Sequence, residues 1–120
     1  MQTFVMLGSI LMFLAVALGA FGAHALKARL TPDKMKVYET GVQYHIAHAL
    51  GLLLLGLLAD RLPEASLIVT GGWFLLAGVI LFSGSLYMLS LTGKRIFGPI
   101  TPLGGVAFLI GWVLVLVAVI

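Results

Sequence analysis

Residues 65–93 read ASLIVTGGWFLLAGVILFSGSLYMLSLTG, 29 positions without a single Asp, Glu, Lys or Arg. Coiled as a helix at about 1.5 Å per residue, such a run is long enough to cross the ~30 Å hydrocarbon core of a bilayer. A helix is the form it must take there. The run is continuously apolar rather than alternating, and hydrocarbon offers a backbone no hydrogen-bond partner outside its own coil.

Working outward, three more uncharged stretches appear: Met1–Leu26, Thr40–Ala59 and Ile96–Ile120. The 7 Lys+Arg and 4 Asp+Glu all lie in the short segments between them. With 62% hydrophobic and 9% charged residues and a mean hydropathy of +1.20, the chain has too few polar side chains to cover a water-facing surface. That excludes a soluble enzyme, a nucleic-acid binder and a disordered chain. The expected fold is all-α: one integral membrane domain over 1–120, an antiparallel four-helix bundle with helices near 3–25, 32–59, 66–92 and 102–120. The net charge of +3 does not argue for nucleic acid, because the basic residues sit in loops where they set topology and meet anionic headgroups. No cysteine is present, so thiolate metal sites and thiol nucleophiles are excluded.

Local signals punctuate the spans. Thr31-Pro32-Asp33 supplies a capping hydroxyl, a proline in the first turn and an acid at the positive helix end. Asp60 to Glu64, with Pro63, turns the chain, and Gly93 before Lys94-Arg95 closes the third helix. Thr101-Pro102 is expected to open the fourth helix as Thr31-Pro32 opens the second, a hint of internal duplication.

Small residues recur every seven positions: Gly8, Ala15, Gly22; Gly71, Gly78, Ser85; Gly104, Gly111, Ala118; and Ala49, Gly56. A heptad keeps each set on one helix face, where small side chains let backbones approach, the way helices associate when lipid is as apolar as leucine. Gly8, Gly22, Gly71, Gly78, Gly104 and Gly111 are the expected packing glycines. Lys27, Arg29, Lys34, Lys36, Lys94 and Arg95 fill the first and third loops, so those loops are expected to be cytoplasmic and both termini on the other side.

An ionisable group inside a span is costly and suggests function. Tyr38, Gly41, His45 and His48 advance by three, four and three residues, one stripe of the second helix. Counted from the helix ends, Ser83, Ser85 and Tyr87 lie at similar depth on the third helix, and His24 ends the first on the same side. The candidate ligand-binding cluster is therefore His24, Tyr44, His45, His48, Ser83, Ser85 and Tyr87, with Glu39 and Gln43 on a neighbouring face. His48 is expected to bond Ser83, Ser85, Tyr87 or the His24 end of the first helix. Interhelical hydrogen bonding that fixes the bundle's register ranks first as the cluster's role. A small-molecule, lipid or proton pathway ranks second, and metal or haem ligation by His24, His45 and His48 third. No acid pair, Ser-His-Asp set or phosphate loop is present, so no catalytic residue is assigned. Trp73 fits an interfacial belt, and Trp112, near the middle of the fourth helix, reads as packing.

Four motifs carry a resemblance: Gly19-Ala20-Phe21-Gly22-Ala23-His24; Glu39-Thr40-Gly41 with Tyr44 and His48; Phe82-Ser83-Gly84-Ser85-Leu86-Tyr87; and Thr101-Pro102-Leu103-Gly104-Gly105 with Phe108, Gly111 and Trp112. One motif per helix, they are similar to those of the small bacterial membrane proteins grouped as domain of unknown function 423. The resemblance implies a four-span, multi-pass protein of the bacterial cytoplasmic (inner) membrane, and no established activity. It places His24 and His48 on motif positions and leaves His45 off them. The expected function is non-enzymatic and without cofactor, an accessory, assembly or lipid-interacting role, with the bilayer, other membrane proteins or further copies of the chain as partners. The alternative is an oligomer that passes a small solute or a proton.

Overall fold

The long apolar runs all become helix in the computed structural model, which describes residues 1–120. The first helix covers Gln2–Leu26, the second Pro32–Leu58 and the third Ala65–Thr92, each long and apolar enough to cross a membrane. The fourth, Ile100–Val119, follows a single tight turn at Arg95–Phe97. There is no strand. The molecule is a long, flattened body of 49 × 26 × 18 Å, its length that of the helices.

The ends follow from local chemistry. Thr31 Oγ1 accepts the backbone N–H of Lys34, Pro32 begins the second helix and Asp33 sits in its first turn. The third helix stops at Gly93, whose φ of 70° lies in the left-handed region that only glycine enters without strain. Thr101-Pro102 behaves differently from Thr31-Pro32. The fourth helix already starts at Ile100 after Pro99 with no side-chain cap, and Pro102 falls within the first turn, where its missing N–H is harmless. The Thr101 hydroxyl pairs instead with Ser85 Oγ at 2.6 Å, so the apparent duplication rests on two unlike helix starts.

The heptad faces pair the helices into two hairpins. On the first helix, a Cβ added to Gly8 would press on Leu53 and Ala49 of the second, and one on Gly22 would meet the Tyr38 ring. The third and fourth helices interlock the same way: Gly71 against Gly111, Gly78 against Phe108, and Gly104 against the backbone of Phe82, where a Cβ would collide with it. Gly104 is thus a position of true backbone contact, and nothing larger fits without movement.

The principal contacts run from first to second, second to third and third to fourth helix, which leaves the first and fourth at opposite edges. Towards the Asp60 loop the hairpins meet through a dry core that includes Phe4, Leu52, Leu55, Ile68 and Leu75. Phe4 seats on Gly72 and edges against Trp73, ring centroids 5.1 Å apart. Outside, the surface is apolar: Phe13, Leu57, Ile80 and Leu109 are all well exposed. Large aliphatic residues outside and glycine, serine and histidine inside make a distribution suited to lipid, not water.

Two helices contain a wider π turn, Gly22–Leu26 in the first and Val79–Ser83 in the third. Such a turn inserts one residue into the helical register and commonly marks a functional or strained place. Here the second one delivers Phe82 to Gly104 and aims Ser83 at the second helix.

Candidate functional site

The half of the molecule nearest the basic loops is where the hairpins meet through polar and aromatic groups. Ser83, fully buried, donates to the Gly41 carbonyl at 2.7 Å. One turn along the second helix, His45 Nδ1 and the Tyr87 hydroxyl are 2.8 Å apart. Two turns beyond Gly41, His48 Nε2 accepts the indole N–H of Trp112 at 3.0 Å. Three side-chain bonds therefore cross between the hairpins, each rooted in the stripe of the second helix. Tyr38, on the same stripe, turns back and bonds the Leu18 carbonyl of the first helix.

His48 has both ring nitrogens engaged. Nδ1 lies 2.8 Å from the Tyr44 carbonyl, which can only accept, so Nδ1 carries the proton; Nε2 faces an indole, which can only donate, so it is bare. The network thus selects one neutral tautomer. The ring stacks on Phe108 with centroids 3.7 Å apart and planes 14° from parallel. Tyr44 packs on Phe82 at 4.6 Å, and Phe82 on Phe108 at 5.6 Å, completing an aromatic wall.

That wall lines a groove of about 560 Å³ between the second, third and fourth helices, with Tyr44, Phe82, Phe108 and Trp112 on its sides and Pro102 and Gly105 along the fourth helix. Tyr44 and Trp112 are both part-exposed on the outer face, so the groove opens sideways from the bundle.

His45 is the opposite case. The residue is 4% exposed, and Nε2 has no hydrogen-bond partner although the Leu11 backbone of the first helix approaches the ring. Whichever tautomer the Tyr87 contact selects, one buried nitrogen stays unsatisfied.

Of the residues singled out from sequence, Tyr44, His45, His48, Ser83 and Tyr87 gather in this seam, but not in the pairing expected. His48 bonds none of Ser83, Ser85, Tyr87 or His24. Ser83 and Gly41 fix the antiparallel register, so the level of His48 on the third helix lies about two turns before Ser83, around Leu75, Leu76 and Ala77, where no polar side chain stands. The fourth helix supplies the partner. Trp112, read as packing, is the residue that the sequence reading missed; its indole N–H, a donor in want of an acceptor at mid-span, was the available signal.

His24 does not join the cluster. It is exposed and bonds nothing, because it sits two residues past Gly22, about half a turn around the helix from the face that meets Tyr38. Three imidazoles therefore do not converge, and no group of three His, Cys, Asp or Glu side chains is arranged to hold a metal ion. Ser85 bonds the Phe82 carbonyl and Thr101, inside its own hairpin.

Comparison with known proteins agrees with this architecture. Residues 18–105 match the family model described as "Protein of unknown function (DUF423)". The chain is 52% identical over 118 residues to the UPF0382 membrane protein YwdK of Bacillus subtilis, covering 98% of this chain and 96% of that one. It is 44% identical over 119 residues to the UPF0382 membrane protein SERP0230 of Staphylococcus epidermidis, covering 98% and 95%. No solved structure matches it. Four helices able to span a bilayer, an apolar outer surface and full-length relatives that are named membrane proteins lead to one conclusion: the chain is a membrane protein and belongs to the DUF423 family.

Proposed function

We propose that the protein is a non-catalytic, multi-pass protein of the bacterial cytoplasmic membrane that works by holding lipid against its outer face. The observation that carries this reading is the lateral groove of about 560 Å³ walled by Tyr44, Phe82, Phe108 and Trp112. A catalytic or ligating imidazole needs a free nitrogen, and His48 spends both of its own inside the chain. What remains at the groove is aromatic surface, suited to an acyl chain and unsuited to a polar substrate. Relatives in Bacillus and Staphylococcus, together with helical spans, favour the cytoplasmic membrane.

Gly105 gives the test. A Cβ there would come no closer than 3.9 Å to Phe82, so a side chain at 105 has room to start towards the groove, and Gly105→Leu is the variant chosen to fill it. Native mass spectrometry of protein extracted in mild detergent should find phospholipid retained by the parent and lost from Gly105→Leu at unchanged melting temperature. Equal retention by the two proteins would refute the reading.

One observation favours a second role, passage of a proton or small solute along the seam of an oligomer: the unpartnered Nε2 of His45. Flux through proteoliposomes that is abolished in His45→Leu would support it, and the absence of flux would remove it.

A further inference from the structure

A second groove opens on the other side of the molecule, between the end of the first helix and the start of the second. Its part nearer mid-span, about 190 Å³, is lined by Gly19, Ala23 and Val42 together with Tyr38 and the polar Gln43. Its outer part, about 350 Å³, is lined by Lys27, Leu30 and Lys36. Met35 and Glu39 line both parts, so the two are continuous. Lys27, Lys36 and Glu39 are exposed, and none of them forms an ion pair; the single ion pair in the chain joins the Met1 ammonium to Asp60 at the other end.

We infer that this groove binds one anionic phospholipid of the phosphatidylglycerol type. Its acyl chain lies on the Gly19, Ala23 and Val42 floor, its phosphodiester meets Lys27 and Lys36, and a headgroup hydroxyl donates to the Glu39 carboxylate.

Charge selects the class of lipid. This end of the molecule carries Lys27, Arg29, Lys34, Lys36, Lys94 and Arg95 against Asp33 and Glu39, whereas the opposite loop sets Arg61 against Asp60 and Glu64. Cations beside a bilayer attract anionic headgroups, and long lysine stems let the ammonium reach phosphate depth while methylenes stay in the apolar layer. Glu39 narrows the choice. A carboxylate in the groove wall repels a bare phosphate monoester but accepts a hydroxyl, which a glycerol headgroup supplies. The apolar floor excludes free phosphate and nucleotides, which have no chain to lay on it. Not every cation of the cluster belongs: Lys34 Nζ lies beside Gly93 at the end of the third helix. This groove is separate from the aromatic one, so the proposal goes beyond the reading above and can fail without it.

The test is a native mass-spectrometry titration of the full chain with phosphatidylglycerol and phosphatidylethanolamine of matched acyl chains. The parent should prefer phosphatidylglycerol. A cation near a membrane surface is worth about fivefold in binding, so Lys27→Gln with Lys36→Gln should cut the preference by at least that factor. Lys94→Gln with Arg95→Gln removes two charges from the same end but outside the groove, and should lower the preference clearly less than the Lys27 and Lys36 pair does. Gly105→Leu should leave it intact, which separates this site from the aromatic groove. Equal losses in the two double variants would mean a diffuse field rather than a site and would overturn the proposal, as would a parent with no preference. Glu39→Gln should raise phosphatidic acid binding relative to phosphatidylglycerol; an unchanged ratio would overturn the assignment of Glu39.

Discussion

The indole N–H of Trp112 donates to Nε2 of His48 across 64 positions of sequence, joining the last helix to the second. Because the same imidazole donates to the Tyr44 carbonyl, the bond sets the tautomer of a histidine buried at mid-span, and the stacked Phe108 fixes its plane. His48 is in this respect a fastener between hairpins: chemically saturated, sterically wedged and shielded by the aromatic groove.

Trp112→Phe keeps the aromatic bulk and deletes the donor, so it isolates the bond. Hydrogen bonds between membrane helices are worth about 0.6 kcal/mol on average and up to about 1.7, and His48 would also be left with an unpaired acceptor. A loss of about 1–2 kcal/mol in detergent is therefore expected for the single variant. In a double-mutant cycle with His48→Leu, the pair should cost less than the sum of the singles. Strict additivity would mean that the two side chains do not interact.

The two adjacent glycines of the fourth helix should respond in opposite directions. Gly104→Ala drives a Cβ into the Phe82 backbone, which cannot rotate away as a side chain tip would, and a loss of about 1–3 kcal/mol or more is expected. Gly105→Ala meets only Phe82 at 3.9 Å, and Gly84→Ala meets nothing within 4 Å. Both should be neutral or stabilising, since alanine favours a helix over glycine by about 0.5–1 kcal/mol. Similar melting temperatures for Gly104→Ala and Gly105→Ala would refute the close approach at Phe82.

The spans, and the small-residue faces that pair helices in hairpins, were legible because both depend on local pattern: charge-free length for the first, seven-residue spacing for the second. The stripe from Tyr38 to His48 was legible for the same reason. What the pattern did not contain was the register between hairpins. Counting depth from helix ends put Ser83 and Tyr87 level with His48, but helices of unequal length overhang, and the Val79–Ser83 π turn shifts the register by a residue. The pairs that form instead, Ser83 with Gly41 and Tyr87 with His45, lie nearer the loop. His24 failed for a geometric reason that depth alone ignores: it shares a level with Tyr38 and a face with neither Gly22 nor the second helix.

Topology can be read with single cysteines, since the chain has none of its own. With the basic loops cytoplasmic, Ala28→Cys in the first loop should react with a membrane-impermeant thiol reagent only after cells are opened, and Pro63→Cys in the second should react in intact cells. The reverse pattern would invert the orientation and place the Lys27 and Lys36 groove in the outer leaflet.

The pair formed by His45 and Tyr87 should show the asymmetry between an unmade and an absent hydrogen bond. Tyr87→Phe removes the one side-chain partner of a histidine whose other nitrogen is already unsatisfied, leaving both nitrogens without a hydrogen-bond partner in a buried seam. An unpaired buried polar group costs about 1–3 kcal/mol, so this single change should destabilise the protein markedly. His45→Leu removes the orphan nitrogen as well as the bond and strands only the Tyr87 hydroxyl, so it should cost less than Tyr87→Phe. The double variant, His45→Leu with Tyr87→Phe, has no stranded group at all and should recover stability to within about 1 kcal/mol of the parent, because replacing both partners by apolar groups of similar shape is nearly neutral. Thermal unfolding of the four proteins in one detergent measures all three differences. If the double variant is the least stable of the four, the contribution of His45 is packing or an additional partner rather than its bond to Tyr87, and the seam is held by something other than the three side-chain bonds that cross it.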